Sequence, residues 1–505
     1  MATLFTNARI TTMSPIRPHA AAMLVQNGNI ERLLDSRPTG LAKDVEIVDL
    51  QNAAVYPGFH DCHAHLADAG LLAGDHDFGS CRNIDAMLRR IERLDDPILY
   101  AGNFEEQRID ERRPPNRKEL DAVSPLRPVL LTRIDGHSCA VNSAALELLG
   151  VDGLEGVERD GEGIPTGRLS MLANYEAQHR LFAKLSRAAL QSAALRAARS
   201  ALAAGITTLH NVLVGDDSED DLKAIYRASA ELPLHVIPKS CSTNVQKVKK
   251  LGSRVFGGDI FVDGSIGSRT AALSSPYRDR PGQEGRLYLD RNQLFELFDE
   301  AVEARLSLGV HAIGDRAIDE AIAAWEKVVA KHGALKDIRP AIDHFEVTTP
   351  DHIERAGRCG LFLSTQPTFD YLWGGAHGMY EERLGDRARG MNRLKSALRA
   401  GCVLCGGSDS PVTKLDALLG MHAAVNHHEP DERLTIEEAL RAYTSDAAKL
   451  AFEEGTRGTL AAGMRADFVA IEQPLESMEP SRIKDARVIA TVVGGAIQFR
   501  AESVA

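Results

Sequence analysis

Two histidines with one residue between them, His63 and His65 in YPGFHDCHAHL, open the chemistry of this chain of 505 residues. On a strand, residues two apart point to one side, so both imidazoles can grip one ion while Cys62 and Ala64 face the other way. Alone, such a pair is more often packed or surface histidine than a ligand set. Here it has company: His311 in LSLGVHAIGD, His344 in RPAIDHFEV, Asp259 and Asp263 in GGDIFVDGS, and Asp409 in GCVLCGGSDS each fall on or at the end of an apolar, strand-like run. If these runs are parallel strands of one barrel, their carboxyl ends share a mouth, where barrels build active sites. The ligands then converge. Mixed imidazole and carboxylate donors suit Zn²⁺ foremost, with Fe²⁺, Mn²⁺ or Co²⁺ as alternatives, over the oxygen-preferring Ca²⁺ and Mg²⁺. One or two such divalent ions lower the pKa of water and polarise a carbonyl, and Asp409 is placed to take a proton and hand it to a leaving group. Metal-dependent hydrolysis is the expected function.

Asp259 shares, by period two, a face with Phe261 and Asp263 toward the barrel interior. An unpaired carboxylate is costly there, and a metal is its natural partner. For Asp263, in DGSIGS, organising a turn competes with a place at the metal or the substrate. Ser268 and Arg269 follow closely and are candidates for gripping a carbonyl or carboxylate, since Arg offers a planar fork of donors. His210 ends the second strand-like run. Cys402-Val-Leu-Cys405 has no second pair and reads as packed strand rather than zinc ligand. His427 and His428 read as the solvated end of a helix. No GxGxxG fingerprint argues for a dinucleotide or nucleoside triphosphate.

The elements that must position these residues alternate. Eight apolar runs, from VYPGFHDCHAH to GCVLCGGSDS, are interleaved with helical patterns such as ALQSAALRAARSALAAG and IDEAIAAWEKVVAKH. That order predicts the α/β class and a (β/α)₈ TIM-like barrel over residues 58–455. Well over a hundred residues separate the first run from the second, including Pro114, Pro115, Pro125 and Pro128. They predict an inserted roof subdomain at about 80–180, in which PVLLTRIDGHSCAVNSAALELLG carries His137. Short strand-like runs at both ends, 1–57 and 456–505, predict one small β-sandwich domain built from both termini.

Composition narrows the classes. Hydrophobic residues make up 44% and charged residues 26% of the chain, and no stretch approaches the apolar run needed to span a bilayer. The net charge of −12 lacks a long basic run, which argues against a nucleic-acid surface. Arg108, Arg112, Arg113, Arg117, Lys118, Arg127 and Arg133 form a basic patch that reads either as a solvated loop or as a guide for an anionic substrate. Seven scattered cysteines, Cys62, Cys81, Cys139, Cys241, Cys359, Cys402 and Cys405, fit reduced thiols. With no signal-peptide pattern at the start, a cytoplasmic protein acting on a small molecule is expected. A homodimer is open.

Taken together these motifs resemble the amidohydrolase superfamily, in the family 3 branch that includes N-substituted formamide deformylase-like proteins. YPGFHDCHAHL looks like that family's first-strand motif, LTRIDGHSCAVNSAAL its roof segment and FVDGSIGSRTAAL its fourth-strand motif. HAIGDRAID, DHFE, STQP, GGSDSPV and GTLAAGMRADFVAI complete the order nearly end to end. The resemblance implies that His63 and His65 hold the more buried ion, His311 and His344 the more exposed one, and that Asp409 is ligand and general base. It implies that His137 reaches over the site toward substrate or oxyanion. One position departs: where many relatives carry a carbamylated lysine bridging two metals, this chain has Asp259. Hydrolysis of a C–N bond in an amide or formamide is what the resemblance implies. An ester or thioester, on an anionic carrier such as coenzyme A, is the alternative. A catalytically inactive binding barrel is a third reading, against which the intact ligands argue.

Overall fold

The computed structural model describes residues 2–36, 45–214 and 218–502; Met1, 37–44 and 503–505, which the expected terminal domain includes, lie outside the described residues. Eight strands carry the ligand-bearing runs: β1 (Phe59–Ala64), β2 (Ile206–Leu213), β3 (His235–Ser240), β4 (Val255–Phe261), β5 (Ser307–Ala312), β6 (Ala341–His344), β7 (Phe362–Thr365) and β8 (Val403–Gly406). They are parallel to their neighbours and follow chain order in two hydrogen-bonded ladders, β1 to β3 and β4 to β8. Every residue of β1 and of β5 is buried. Parallel strands covered on both faces have no solvent side to encode, which is why these runs show no clean alternation.

The ladders approach each other at both edges. Beyond β1 and β8, the Asp409 amide donates to the His63 carbonyl at 2.7 Å and the His65 amide to the Ser410 carbonyl at 2.8 Å. Gly407 permits this approach, because a Cβ there would stand 2.9 Å from the His63 nitrogen. Between β3 and β4, the Cys241 thiol reaches the Gly257 carbonyl at 3.5 Å.

Helices cover the strands. Four that bear on the site are α1 (Leu66–Leu71), α2 (Met171–Phe182), α3 (Arg187–Ala203) and α4 (Glu219–Ser229). On α3 the stripe Ala193, Ala197, Ala201 faces the core, at the spacing of one helix face. Gly70 of α1 rests directly on it: a Cβ at Gly70 would lie 1.9 Å from the Ala193 carbonyl oxygen. Farther round, Phe298 stacks on the fully buried Trp325 at 4.1 Å between centroids.

Between α1 and α2 lies the insertion expected as a roof. Its five-stranded sheet runs in the order Val157–Arg159, Pro165–Ser170, Ser138–Val141, Val129–Arg133, Leu99–Phe104. The two chain ends share one mixed sheet of eight strands, in which Phe468–Ile471 pairs antiparallel with residues 54–57 and Ala2–Thr11 runs parallel to the strand Val45–Pro57. Phe5 packs edge-on against Phe468 at 4.9 Å, joining the two termini. Thus the fold is mixed α/β, and the terminal strands pair as one sheet. No described helix is long and apolar enough to cross a membrane.

Candidate metal centre

The strand ends bring His63, His65, Asp259, His311, His344 and Asp409 into two overlapping groups able to hold a cation. One comprises His63, His65, Asp259 and Asp409, the other Asp259, His311 and His344. Asp259 belongs to both. Its Oδ1 lies 3.3 Å from His63 Nε2, 3.5 Å from His311 Nδ1 and 3.5 Å from His344 Nε2, and its Oδ2 lies 3.2 Å from His65 Nε2. Asp409 Oδ1 is 3.1 Å from His65 Nε2 and 3.4 Å from His63 Nε2.

Local backbone accounts for this convergence. Gly257 and Gly258 adopt φ of +81° and +103°, and the pairing of β4 with β5 shifts register beyond Gly257. Such a bulge re-aims the following side chain, here Asp259. His344 and Asp409 themselves sit at φ of +71° and +54°. Left-handed residues of this kind cost energy and persist where surrounding structure over-determines them, commonly at sites of function.

Each imidazole is fixed by its remote nitrogen. His63 Nδ1 donates to Asp343 at 2.8 Å, His65 Nδ1 to the Val212 carbonyl at 3.1 Å, His344 Nδ1 to Gln366 at 2.9 Å and His311 Nε2 to the Gly264 carbonyl at 3.3 Å. With one nitrogen so engaged, the other turns a lone pair to the centre, which is how proteins orient histidine ligands. His63 Nε2 and His311 Nδ1 are buried and have no hydrogen-bond partner. Burial alone would push the His63 pKa down, but Asp259, Asp343 and Asp409 around it raise it to about 10. A cluster that draws protons onto its imidazoles is short of positive charge, so these residues fit a divalent cation.

The carboxylates answer in kind. Burial works against their charge, yet the surrounding imidazoles hold Asp409 below, and Asp259 well below, the usual carboxylate range. Behind them, buried Lys239 lies 3.5 Å from Asp343, whose other partner is His63. Asp343 and Lys239 escaped the sequence reading; a lysine inside the apolar run LPLHVIPK was the available signal.

The other expected site residues divide. His137 is at the site: its ring is 5.2 Å from that of His311, and its Nδ1 shares a hydrogen bond of 2.6 Å with the Tyr175 hydroxyl. Burial lowers its pKa to about 4, leaving it neutral at physiological pH. Tyr175 stacks on Phe261 at 4.6 Å. Asp263 is beside the site but turned to the backbone, accepting from the amides of Ala272, Ile313 and Gly314, and burial raises its pKa to about 7. Ser268 bonds Asp135 and Ser138 of the roof. The Arg269 fork is taken by Asp279. These two are not brought to the ligands.

Several side readings are resolved as well. Cys402 and Cys405 are packed, and all seven cysteines are free. His427, expected at a solvated end, is 1% exposed and 3.7 Å from Asp370, so the loop folds back over it. In the basic patch, Arg108, Arg113, Arg117 and Arg133 pair with Glu105, Glu119, Asp121 and Glu106, while Arg127 donates to helix-end carbonyls.

The family described as "Amidohydrolase family" matches residues 46–499. YtcJ of Bacillus subtilis (strain 168), whose name places it among amidohydrolases, is 29% identical over 94% of this chain and 93% of its own length. N-substituted formamide deformylase of Arthrobacter pascens is 26% identical, with 98% of this chain and 97% of that protein covered. Among solved structures, an uncharacterized metal-dependent hydrolase from Pyrococcus furiosus superposes with a TM-score of 0.74 at 27% identity, over 95% of this chain and 100% of that one.

Proposed function

This chain belongs to the amidohydrolase family and is a hydrolase, and from that premise we propose that it cleaves a C–N bond, of the amide or formamide kind, in a small molecule. The observation that carries the reading is Asp259, the carboxylate common to both ligand groups. We read it as standing in for the carbamylated lysine of the resembling family, so that it would help to hold two divalent transition ions, zinc foremost. His63 and His65 would hold one with Asp409, and His311 and His344 the other. Ions bound there supply a water that loses its proton readily and a Lewis acid for the carbonyl.

The chain's own residues do the rest. Asp409, kept ionised by the imidazoles around it, takes a proton at its carboxylate and returns it to the leaving nitrogen. His137 is neutral, and we assign it the tautomer in which Nδ1 accepts from the Tyr175 hydroxyl and Nε2 carries the hydrogen. From the roof it can donate to the carbonyl oxygen as negative charge develops there. An ester or thioester would engage the same groups. The anionic-carrier version draws less support, because Arg108, Arg113, Arg117 and Arg133 of the basic patch are paired with acidic side chains.

We read the two ladders as one (β/α)₈ barrel spanning 58–455, supported by the contacts between β1 and the loop after β8. The segments 1–57 and 456–505 make the accompanying domain. The test is metal content per chain for protein purified without chelator, wild type and Asp259→Ala, alongside a screen of formamides, amides and esters. Two ions falling to one or none, with loss of hydrolysis, is the expected result. Equal metal in both proteins would remove Asp259 from the metal ligands.

A further inference from the structure

The cavity that opens on the metal ligands continues well past them. We propose that its outer part binds a neutral, apolar group of the substrate, a long alkyl or aryl chain attached to the amide that is cleaved. The inference rests on the hydrolase reading above and deepens it.

The cavity has a volume of about 890 Å³ and is continuous from His65, Asp259 and Asp409 to the space between α2, α3 and α4. That is the upper end of the range for small-molecule sites, far more than an amide group and its catalytic surroundings fill. Its outer wall is built from Leu185, Leu190, Ala194, Ile225 and Leu232, all only half-buried. Leu190 and Ala194 stand four apart on α3, one turn along a single face. The Ala193, Ala197, Ala201 stripe of the same helix faces the core, so α3 is apolar on two sides. One is spent on packing, and the other lines open space.

Charge in the lining points the same way. Both lining arginines are engaged, Arg133 with Glu106 and Asp135, and Arg187 with Asp221. Asp68 accepts from the Tyr100 hydroxyl at 2.9 Å. Arg133 is buried in its pairs and Arg187 shares an exposed contact with Asp221, so neither stands uncompensated in the lining, and burying an uncompensated charge against leucine side chains is costly. A neutral apolar chain meets no such cost and gains from each methylene removed from water.

The experiment uses neutral n-alkanamides, from acetamide through hexanamide to decanamide, to displace Nile red from the purified full-length protein. It is paired with hydrolysis of the matching acyl p-nitroanilides. Affinity should rise roughly three- to fourfold per added methylene until the cavity is filled. Leu190→Asn and, separately, Ala194→Asp should flatten that slope. A flat slope in the wild type, with acetyl p-nitroanilide still cleaved, would overturn the apolar-chain proposal and leave the hydrolase reading intact. A steep slope with no member hydrolysed would keep the apolar cavity as a binding site but overturn its assignment to the chain of a cleaved amide. Decanoate binding as tightly as decanamide would overturn the preference for a neutral ligand.

Discussion

Asp343→Asn separates two jobs done by one buried carboxylate. Asp343 is fully buried, accepts from His63 Nδ1 at 2.8 Å and faces Lys239 at 3.5 Å. The substitution keeps the volume and an acceptor oxygen but turns a charge-assisted hydrogen bond into a neutral one, roughly half as strong. His63 becomes a poorer donor to a cation. Loss of a partner behind a metal-bound histidine typically lowers metal affinity about 10- to 100-fold, or ~1.4–2.7 kcal/mol. The second effect is independent of metal: the ammonium of Lys239, 4% exposed, loses its counter-charge, and breaking a buried pair from one side costs about 3–5 kcal/mol. Competition with a chromophoric chelator measures the first, and urea unfolding of metal-free protein measures the second. Adding Lys239→Met removes the stranded charge and should restore much of the stability while leaving metal affinity low. Wild-type metal affinity in Asp343→Asn would refute the role given to the His63 contact. A double variant no more stable than the single would refute the pairing with Lys239.

Other expectations follow from contacts already described. Gly407→Ala should lower stability by about 1–3 kcal/mol, since its Cβ would crowd the His63 nitrogen and Cβ at 2.9 and 3.2 Å; an unchanged melting temperature and metal content would contradict the close approach. Tyr175→Phe should reduce kcat roughly 5- to 30-fold, the value of about 1–2 kcal/mol for a lost hydrogen bond, with metal content intact; a parallel loss of metal would point to collapse of the roof. For Glu453, burial pushes the pKa up, but His235 at 2.8 Å and Arg457 at 3.3 Å more than reverse it, holding it below the ordinary 4.5. A depressed carboxylate contributes stability above its unfolded pKa and loses it as pH falls through the folded value. The stability gap between wild type and Glu453→Gln should therefore narrow on acidification, and a gap that stays constant would exclude the pair as its source.

The convergence of His63, His65, Asp259, His311, His344 and Asp409 was legible because each is a polar residue on or ending an apolar run, and parallel strands bring such ends together. Asp343 was hidden by the same logic. It precedes His344 on β6, so alternation turns it away from the ligand face, and what makes it matter is His63, far off in sequence. Arg269 looks free on paper, a guanidinium near a strand end, and its pairing with Asp279, ten residues on, is set by the folded loop rather than by any local pattern. The terminal strands could be recognised singly from their residues. Their order in one sheet could not, since it joins residues more than four hundred positions apart.

The roof is riveted to the floor it covers. Asp135 accepts from the hydroxyls of Ser265 and Ser268, Ser138 meets Ser268 at 3.1 Å, and Gly267 leaves only enough room for the Arg133 guanidinium, which a Cβ there would strike at 2.4 Å. Swinging the roof aside would break several buried hydrogen bonds at once, charge-assisted ones among them at roughly 1.5–3 kcal/mol each. With the roof so fastened, the free space at the strand ends lies to one side, where the cavity runs on from His65, Asp259 and Asp409 to the gap between α2, α3 and α4.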